Sequence, residues 1–409
     1  MPQIENERKN INPVSAKSIF SLKNGEKMVI TGLMKLSRNF DKYVGKKNIA
    51  ILCHAASVDE ELNHIIEILQ KKGAKIKAVF GPQHGLFGQT QDNMIEWEDE
   101  NFAQNSIKIH SLYGKTRAPT NETLKGIDCL IVDLQDVGAR PYTYVWTMKE
   151  CAGVCEKLGL EVLVLDRPNP IGFFDEEGAV LQNKYFSFVG GAQIKMIHKK
   201  TIGQIAKMFK EKYFPSLNLN VVEMENYDIN MKFEETALPW VIPSPNMPTV
   251  DTALVYPGQV LLETTNISEG RGTCKPFELF GAPFIKPKEF LEAFSSFKIE
   301  GCILRRHDFI PTFNKYSGFD NRVCGKTDEK TAQTHTCAGF QIHITDLTKF
   351  KPVKTSVAIL KSIALTSPDD FLLNPPPYEY EYENMPMDIV WGDASLREYL
   401  KDGAAEISF

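Results

Sequence analysis

Residues 266–278 place two carboxylates and two cations around two glycines. These side chains are Glu269, Arg271, Lys275 and Glu278. A guanidinium can hold an anion through two parallel hydrogen bonds, and a carboxyl group can act as an acid or a nucleophile. The segment therefore predicts a site for an anionic ligand. The alternative interpretation is a solvated turn with surface ion pairs, which contribute little to stability.

Polar side chains also follow directly after four apolar segments that have the composition of buried strands. These side chains are His54, Gln83, His84, Asp136, Arg140, Asp166 and Arg167. The carboxyl ends of parallel strands meet at one edge of a sheet, where helix N-termini supply unpaired N–H donors. We therefore expect a common cleft there, whereas the alternative is that these are ordinary turn residues.

The glycine loop at residues 81–88 contains His84, which could carry a proton or bind a sugar hydroxyl because an imidazole has two different nitrogens near pH 7. Alternatively, His84 only caps neighbouring carbonyls. The glycines of this loop do not have the GxGxxG spacing of a dinucleotide site, and GxxxxGK[ST] does not occur in the sequence. We expect no nucleotide cofactor.

Three aspartates at predicted strand ends, Asp133, Asp136 and Asp166, could bind a divalent metal together with His84. Their spacing is not specific, and the chain has no HExxH motif. We therefore predict no metal site and keep a metal-dependent hydrolase as a weaker alternative.

The composition is that of a globular enzyme. The 409 residues include 47 Lys+Arg against 52 Asp+Glu, a formal net charge of -5, and 43% are hydrophobic. This charge argues against nucleic-acid binding. The first 30 residues carry charges throughout, and no stretch reaches the roughly 20 apolar residues of a membrane helix. We expect no membrane partner and a cytoplasmic location.

Short apolar runs alternate with segments of helical period from Lys47 onward, which predicts an α/β fold with a parallel sheet. Capping-box patterns predict helices that open at Ser57, with Glu60, and at Thr201, with Gln204. The composition and the pattern of apolar segments predict three regions: a polar arm over residues 1–26, an α/β domain over 27–285 and a smaller α+β domain over 286–409.

Two Pro-rich stretches interrupt this alternation. Residues 238–283 are weakly periodic and too long for an idle connection, so we expect an ordered functional loop. Residues 374–393 begin with a proline run followed by alternating Tyr and Glu, and we expect an ordered arm that wraps the domain.

Eight motifs occur in the order typical of one family. They are FGPQHG (80–85), SLYG (111–114), DLQDVGAR (133–140), LDRPNP (165–170), PSPNMP (243–248), YPG (256–258), EGRGT (269–273) and KPFE (275–278). Over about residues 47–346 the chain resembles the NamZ-type exo-β-N-acetylmuramidases. The resemblance implies a Rossmann-like catalytic domain, a smaller auxiliary domain, and release of N-acetylmuramic acid from the non-reducing end of peptidoglycan fragments.

The chain departs from the family pattern at Gln83, where the usual loop has a glutamate that is the favoured acid/base. An amide cannot replace the carboxyl group that protonates a leaving oxygen. In one interpretation another carboxylate takes over, with Glu96, Glu98 or Glu269 as candidates and His84 assisting. In a second, Gln83 orients the substrate and the chemistry differs. In a third, the protein binds a muropeptide or related sugar without cleaving it.

The lactyl group of muramic acid is an anion, so the resemblance assigns its recognition to arginines. The candidates for substrate binding are Gln83, Asp136, Arg140, Arg167, Asn246, Arg271, Lys275 and Glu278. Asn246 would hold the acetamido group, while Tyr142, Tyr144 and Trp240 would stack on the sugar or pack in the core. A cytoplasmic member of this family would process imported wall fragments.

Overall fold

Strands and helices alternate along the first half of the chain, as the apolar segments predict. The structure, a computed structural model, describes residues 27–92, 94–101, 107–318, 333–402 and 407, so the predicted arm at 1–26 lies outside it. The strands are β1 (Asn48–Cys53), β2 (Lys75–Gly81), β3 (Glu100–Asn101), β4 (Lys108–Ser111), β5 (Cys129–Asp133), β6 (Glu161–Leu165), β7 (Asn218–Val222), β8 (Leu279–Ala282), β9 (Cys302–Arg306) and β10 (Ala338–Ile344).

The helices lie between and after these strands. They are α1 (Gly32–Arg38), α2 (Phe40–Tyr43), α3 (Ile65–Lys71), α4 (Tyr144–Leu158), α5 (Ile202–Lys212), α6 (Val250–Gln259), α7 (Pro287–Ser295), α8 (Pro352–Thr366), α9 (Pro386–Trp391) and α10 (Ser395–Asp402). Among the described residues, none of these helices has the length and apolar character that a membrane crossing requires.

The main sheet has the strand order β3-β4-β2-β1-β5-β6-β7. Six of its strands are parallel, and only the two-residue β3 pairs antiparallel, with β4. β1 and β5 are buried almost throughout, as expected for a parallel sheet covered on both faces. Strand order reverses at β1, which creates a crevice at the carboxyl ends of β2, β1 and β5. The predicted Rossmann-like α/β fold is confirmed.

The two predicted capping boxes have different outcomes. At Thr201 the prediction is confirmed: its hydroxyl accepts from the Gln204 amide at 3.2 Å, and the Gln204 side chain accepts from the Thr201 amide at 2.9 Å. At Ser57 the prediction is wrong. The Ser57 hydroxyl donates to the carbonyl oxygen of Asp133 at 2.5 Å, so it ties the loop after β1 to β5, and α3 begins only at Ile65.

A second, antiparallel sheet follows, with the order β8-β10-β9. It confirms a smaller α+β unit after the parallel sheet. β8 lies before residue 285 yet pairs with β10, while the division of domains at that residue stays a prediction. The Pro-rich stretch 238–283 is not only a loop, because it contains α6. A Cβ at Gly258 would lie 2.1 Å from the Pro352 carbonyl oxygen, so this glycine permits the close approach of α6 and α8.

Residues 374–384, which we call the strap, carry the alternating tyrosines and glutamates. The strap crosses from the smaller unit to the main sheet: the Asn374 amide donates to the Thr264 carbonyl, and the Tyr380 hydroxyl contacts the Met94 carbonyl at 3.4 Å. The expected ordered arm is therefore present.

Candidate active site

A cleft with an empty volume of about 460 Å³ lies at the crevice where the strand order reverses. We call it the aromatic cavity. The loop after β2 contributes two of its residues, the start of α4 contributes tyrosines, and the strap closes it. Its lining includes Gln83, His84, Tyr142, Thr143, Tyr144, Ser244, Asn246, Tyr256, Glu263, Arg271, Phe277, Tyr378 and Glu379.

A second cleft of about 590 Å³ adjoins the first, and we call it the charged cavity. Its lining includes Asp92, Glu269, Asn314, Lys315 and Asn374. The two cavities share four residues, which are Glu263, Arg271, Tyr378 and Glu379. The side chains at this junction are therefore the ones that a ligand spanning both cavities would meet.

Glu379 is the carboxyl group beside Gln83, the position at which the family pattern has a glutamate. Gln83 donates from Nε2 to Glu379 Oε1 at 3.4 Å, while its own Oε1 accepts from the Thr143 hydroxyl at 2.6 Å. The Tyr113 hydroxyl donates to Glu379 Oε2 at 2.6 Å. Glu379 and Gln83 are each only 3% exposed. The site thus holds a buried carboxyl group next to the amide that replaces the expected one.

The surroundings of Glu379 favour its neutral, proton-donating form. Burial raises the pKa of Glu379 to about 7, and the nearby Glu263 charge also raises it, whereas the hydrogen bonds from Tyr113 and Gln83 lower it. A carboxyl group with a pKa near the working pH is suited to general acid catalysis, because both its forms are accessible.

The strap presents Glu379 on a tight turn. Tyr378 and Glu381 exchange two backbone hydrogen bonds of 2.9 Å each, and the two residues between them have positive φ, 45° at Glu379 and 66° at Tyr380. Such a turn normally takes Asn-Gly or a similar pair, because other side chains are strained at positive φ. Two non-glycine residues here indicate local strain of the kind that clusters at functional sites.

An ion-pair network lies behind Glu379. Arg271 donates from one terminal nitrogen to Glu263 at 2.7 Å and from the other to Glu269 at 3.3 Å. Lys315 donates to Glu269 at 3.0 Å, and the Tyr378 hydroxyl donates to Glu263 at 2.8 Å. Glu263, Glu269, Arg271 and Lys315 are buried, so their charges depend on the ion pairs and on hydrogen bonds from neighbouring polar groups rather than on water.

The two carboxylates of this network have opposite pKa shifts. Burial raises the pKa of Glu263, and the attraction of Arg271 only partly offsets it. Burial also raises the pKa of Glu269, but the Lys315 and Arg271 charges lower it by more, so the net shift is downward. Glu269 is therefore ionised, which is unsuitable for the predicted role of a proton donor.

His84 is a neutral hydrogen-bond acceptor in the aromatic cavity. Its Nδ1 lies 2.7 Å from the Thr90 carbonyl oxygen, so we assign the ring proton to Nδ1 and the lone pair to Nε2. Burial lowers the pKa of His84 to about 4. The residue also has a φ of 72°, so its backbone is held in the left-handed region.

Several predicted site residues lie outside both cavities. Glu96 is exposed and pairs with Arg117 at 3.5 Å, and Glu98 is exposed as well. The carboxylate of Glu278 accepts from Lys275 at 2.8 Å and from Thr252 at 2.7 Å. The structure places these carboxylates away from the two cavities that Glu379 lines.

Arg140, Arg167 and Asp136 are buried and line neither the aromatic nor the charged cavity. Arg140 is fully buried and donates to four carbonyl oxygens, those of Ala179, Ile194, Val390 and Trp391. Arg167 forms a bidentate pair with Asp133 at 2.5 and 2.8 Å. The Asp136 carboxylate accepts from the Gly138 amide at 2.7 Å. These three hold loops in place at the carboxyl ends of the strands.

The predicted aromatic contacts are divided between two places. Tyr142 and Tyr144 line the aromatic cavity in an edge-to-face pair with ring centroids 4.8 Å apart, whereas Trp240 lines a separate cleft with Arg167. In the part of the chain that the structure describes, no cluster of three or more His, Cys, Asp or Glu side chains is arranged to hold a metal ion.

Sequence reasoning missed Glu379, Glu263, Tyr113 and Tyr378. Tyr113 lies within a motif typical of the family, and Glu379 lies in the Tyr–Glu alternation that predicted an ordered arm. That alternation contains Glu379, Glu381 and Glu383 at equal spacing, so it signals a carboxylate-rich segment without indicating which carboxylate enters the site.

Comparisons with known proteins agree with this fold. The family described as Exo-beta-N-acetylmuramidase NamZ, N-terminal, matches residues 49–251, and the corresponding C-terminal family matches residues 254–409. The chain is 41% identical over 346 residues to the peptidoglycan beta-N-acetylmuramidase NamZ of Bacillus subtilis (strain 168), which covers 84% of this chain and 79% of that protein.

Two crystal structures of DUF1343 family proteins from Bacteroides fragilis NCTC 9343 are also similar. One has a TM-score of 0.76 at 27% identity and covers 91% of each chain. The other has a TM-score of 0.66 at 25% identity and covers 93% of this chain and 92% of that chain. Together with the matches along both halves of the sequence, they show that this chain belongs to the NamZ family of exo-β-N-acetylmuramidases, which are glycoside hydrolases.

Proposed function

We propose that the protein is an exo-β-N-acetylmuramidase that releases N-acetylmuramic acid from the non-reducing end of peptidoglycan fragments, with Glu379 as its general acid. The observation that carries this proposal is the buried Glu379 carboxyl group at the junction of two cavities, in contact with Gln83 and with a pKa raised to about 7. A proton donor of this kind contributes typically about 100- to 10,000-fold to glycoside hydrolysis.

The position of Glu379 supports catalysis by a replacement carboxylate over binding alone. A glycosidase acid must contact the oxygen between two sugar units, and Glu379 lines both cavities. We assign one sugar unit to each side of it. Gln83 then serves to orient the acid through the 3.4 Å hydrogen bond, which follows the first interpretation of the departure at this position, with a carboxylate other than Glu96, Glu98 or Glu269.

We further assign substrate contacts to the predicted residues that line the cavities. Asn246 donates to the Gln91 carbonyl at 2.6 Å and keeps its side chain at the aromatic cavity, which supports contact with the acetamido group. Arg271 lines both cavities and supports recognition of the lactyl carboxylate. The other predicted cations, Arg140, Arg167 and Lys275, serve structural contacts in this proposal.

The test uses purified protein and a disaccharide of N-acetylmuramic acid β-linked to N-acetylglucosamine, with release of sugar followed by mass spectrometry. A trisaccharide with an additional N-acetylglucosamine on the muramyl residue is the matched control, because an exo-acting enzyme cannot process it. We expect free N-acetylmuramic acid from the disaccharide only. Binding of the disaccharide without release would instead favour the non-catalytic carbohydrate-binding protein.

The compartment stays a prediction. We propose that the substrates are wall fragments in the cytoplasm, as in recycling of cell wall material. Cell fractionation with detection of the protein by antibody tests this, and recovery outside the cytoplasmic fraction would contradict it.

A further inference from the structure

Among the described residues that line the aromatic cavity, two carry carboxyl groups, Glu263 and Glu379. They differ in their hydrogen-bond partners. Both oxygens of Glu263 are engaged: Oε1 accepts from Arg271 at 2.7 Å and Oε2 from the Tyr378 hydroxyl at 2.8 Å. Hydrogen bonds to both oxygens draw negative charge from this carboxylate and make it a weaker nucleophile than a free carboxylate.

Two other polar groups of the cavity, His84 and Tyr142, suit a neutral amide. His84 offers a lone pair on Nε2, since its Nδ1 proton is directed to the Thr90 carbonyl. The buried Tyr142 hydroxyl has the Ser244 and Tyr144 hydroxyls as polar neighbours, and makes no hydrogen bond of standard geometry to any residue described. An acetamido group has one N–H donor and one carbonyl acceptor, which match an imidazole lone pair and a phenol O–H.

Resting on the proposed function, we infer that the nucleophile is the substrate's own 2-acetamido carbonyl oxygen, which His84 and Tyr142 orient while Glu379 supplies the proton. Neighbouring-group catalysis of this kind is a known alternative to an enzyme carboxylate nucleophile in glycoside hydrolysis. It gains its rate from proximity, because the attacking oxygen belongs to the same sugar.

The reaction balances in two displacements at C1. In the first, the glycosidic C1–O bond breaks, its electron pair stays on the leaving oxygen, and that oxygen takes the Glu379 proton. A lone pair of the acetamido oxygen forms a new bond to C1 and closes an oxazolinium ring, whose N–H donates to His84 Nε2. In the second, water bonds to C1 and gives a proton to the Glu379 carboxylate, while the ring C1–O bond opens and returns its electron pair to the amide.

Two displacements predict that the released sugar retains the β configuration. The first arm of the test is ¹H NMR of the disaccharide reaction at early times, where we expect the β anomer before mutarotation. Initial release of the α anomer would overturn the inference, since it requires direct attack by water. Retention through a covalent Glu263 adduct would give the same anomer, so a second arm is needed.

The second arm compares aryl β-glycosides of muramic acid that carry acetyl, fluoroacetyl, difluoroacetyl and trifluoroacetyl groups on the amine. Fluorine withdraws electrons from the carbonyl oxygen, so kcat/KM should fall steadily, by about 100-fold or more across the series. A flat series would overturn the inference and leave the muramidase activity intact. No release from the N-acetyl glycoside would overturn the proposed function and this inference together.

Discussion

The amide nitrogen of Gln83 lies 3.4 Å from Oε1 of Glu379, although 296 residues separate the two in the chain. Gln83 follows β2 in the main sheet, and Glu379 comes from the strap of the smaller unit. The strap thus returns a carboxyl group to the loop in which the family pattern has a glutamate. The proposed acid is completed by the contact between the two units, so its pKa depends on both.

The rate should depend on pH through Glu379. Burial raises its pKa to about 7, and the general acid must be protonated in the reactive complex. We expect kcat/KM to fall as the pH rises through about 7, which a pH profile between pH 5 and 9 with the disaccharide measures. A profile that is still rising at pH 9 would contradict the assignment.

The raised pKa of Glu379 also predicts that this residue lowers the free energy of unfolding at high pH. A carboxyl group whose pKa is raised on folding stabilises the protein fully below its unfolded value, and this contribution is lost as the pH rises through the folded value. The relevant window for Glu379 runs from 4.5 to about 7. Glu379→Gln should therefore be more stable than the wild type at pH 8, by about 1 to 3 kcal/mol, and the difference should shrink towards pH 4. Urea denaturation at the two pH values measures it; an equal difference at both would refute the linkage.

Gln83→Glu should move the upper limit of activity to higher pH. The new carboxyl group would lie beside Glu379 in a buried place, and two carboxyls that share a site raise the apparent pKa of the pair. The measurement is the pH profile of kcat/KM for the variant against the wild type. An unchanged or lower limit would show that residue 83 does not act on the catalytic acid.

Glu269→Gln tests the ion-pair network behind the acid. Removing this carboxylate leaves Lys315 and Arg271 buried with less compensation, which should cost about 3 to 5 kcal/mol of the free energy of unfolding. Glu96→Gln is the control, because its exposed pair with Arg117 contributes about 1 kcal/mol at most. Denaturation curves compare the two. Normal stability with complete loss of turnover in Glu269→Gln would restore Glu269 as the acid.

Most of the main sheet could be predicted because its strands are short apolar runs, bounded by polar residues, that the local sequence identifies. The apolar runs of the sequence predict strands at residues 48–53 and 302–306, which are the bounds of β1 and, in the second sheet, of β9. They also predict strands at 129–134 and 162–165, one residue away from β5 and β6 at one end, and at 76–80, one residue shorter than β2 at each end. The predicted helix start at Ser57 was wrong because the Ser57 hydroxyl binds the Asp133 carbonyl oxygen, a long-range partner that the local sequence does not reveal.

The site was harder to predict because it depends on long-range contacts. Gln83, His84, Asn246 and Arg271 do line the cavities, and each lies in a recognisable motif. Arg140 also lies in a motif, yet its side chain is buried and donates to carbonyl oxygens of the protein. Nothing in the local sequence distinguishes a guanidinium that binds four carbonyls from one that binds a ligand. Glu379 was missed since its environment is assembled from a loop nearly 300 residues away.

The central claim is most directly tested by kcat/KM for the disaccharide with Glu379→Gln, beside Glu383→Gln as a matched control from the exposed part of the same strap. Both changes replace a carboxylate with an amide of the same shape. We predict that Glu379→Gln loses about 100- to 10,000-fold while Glu383→Gln keeps the wild-type value. Wild-type turnover by folded Glu379→Gln would contradict the account.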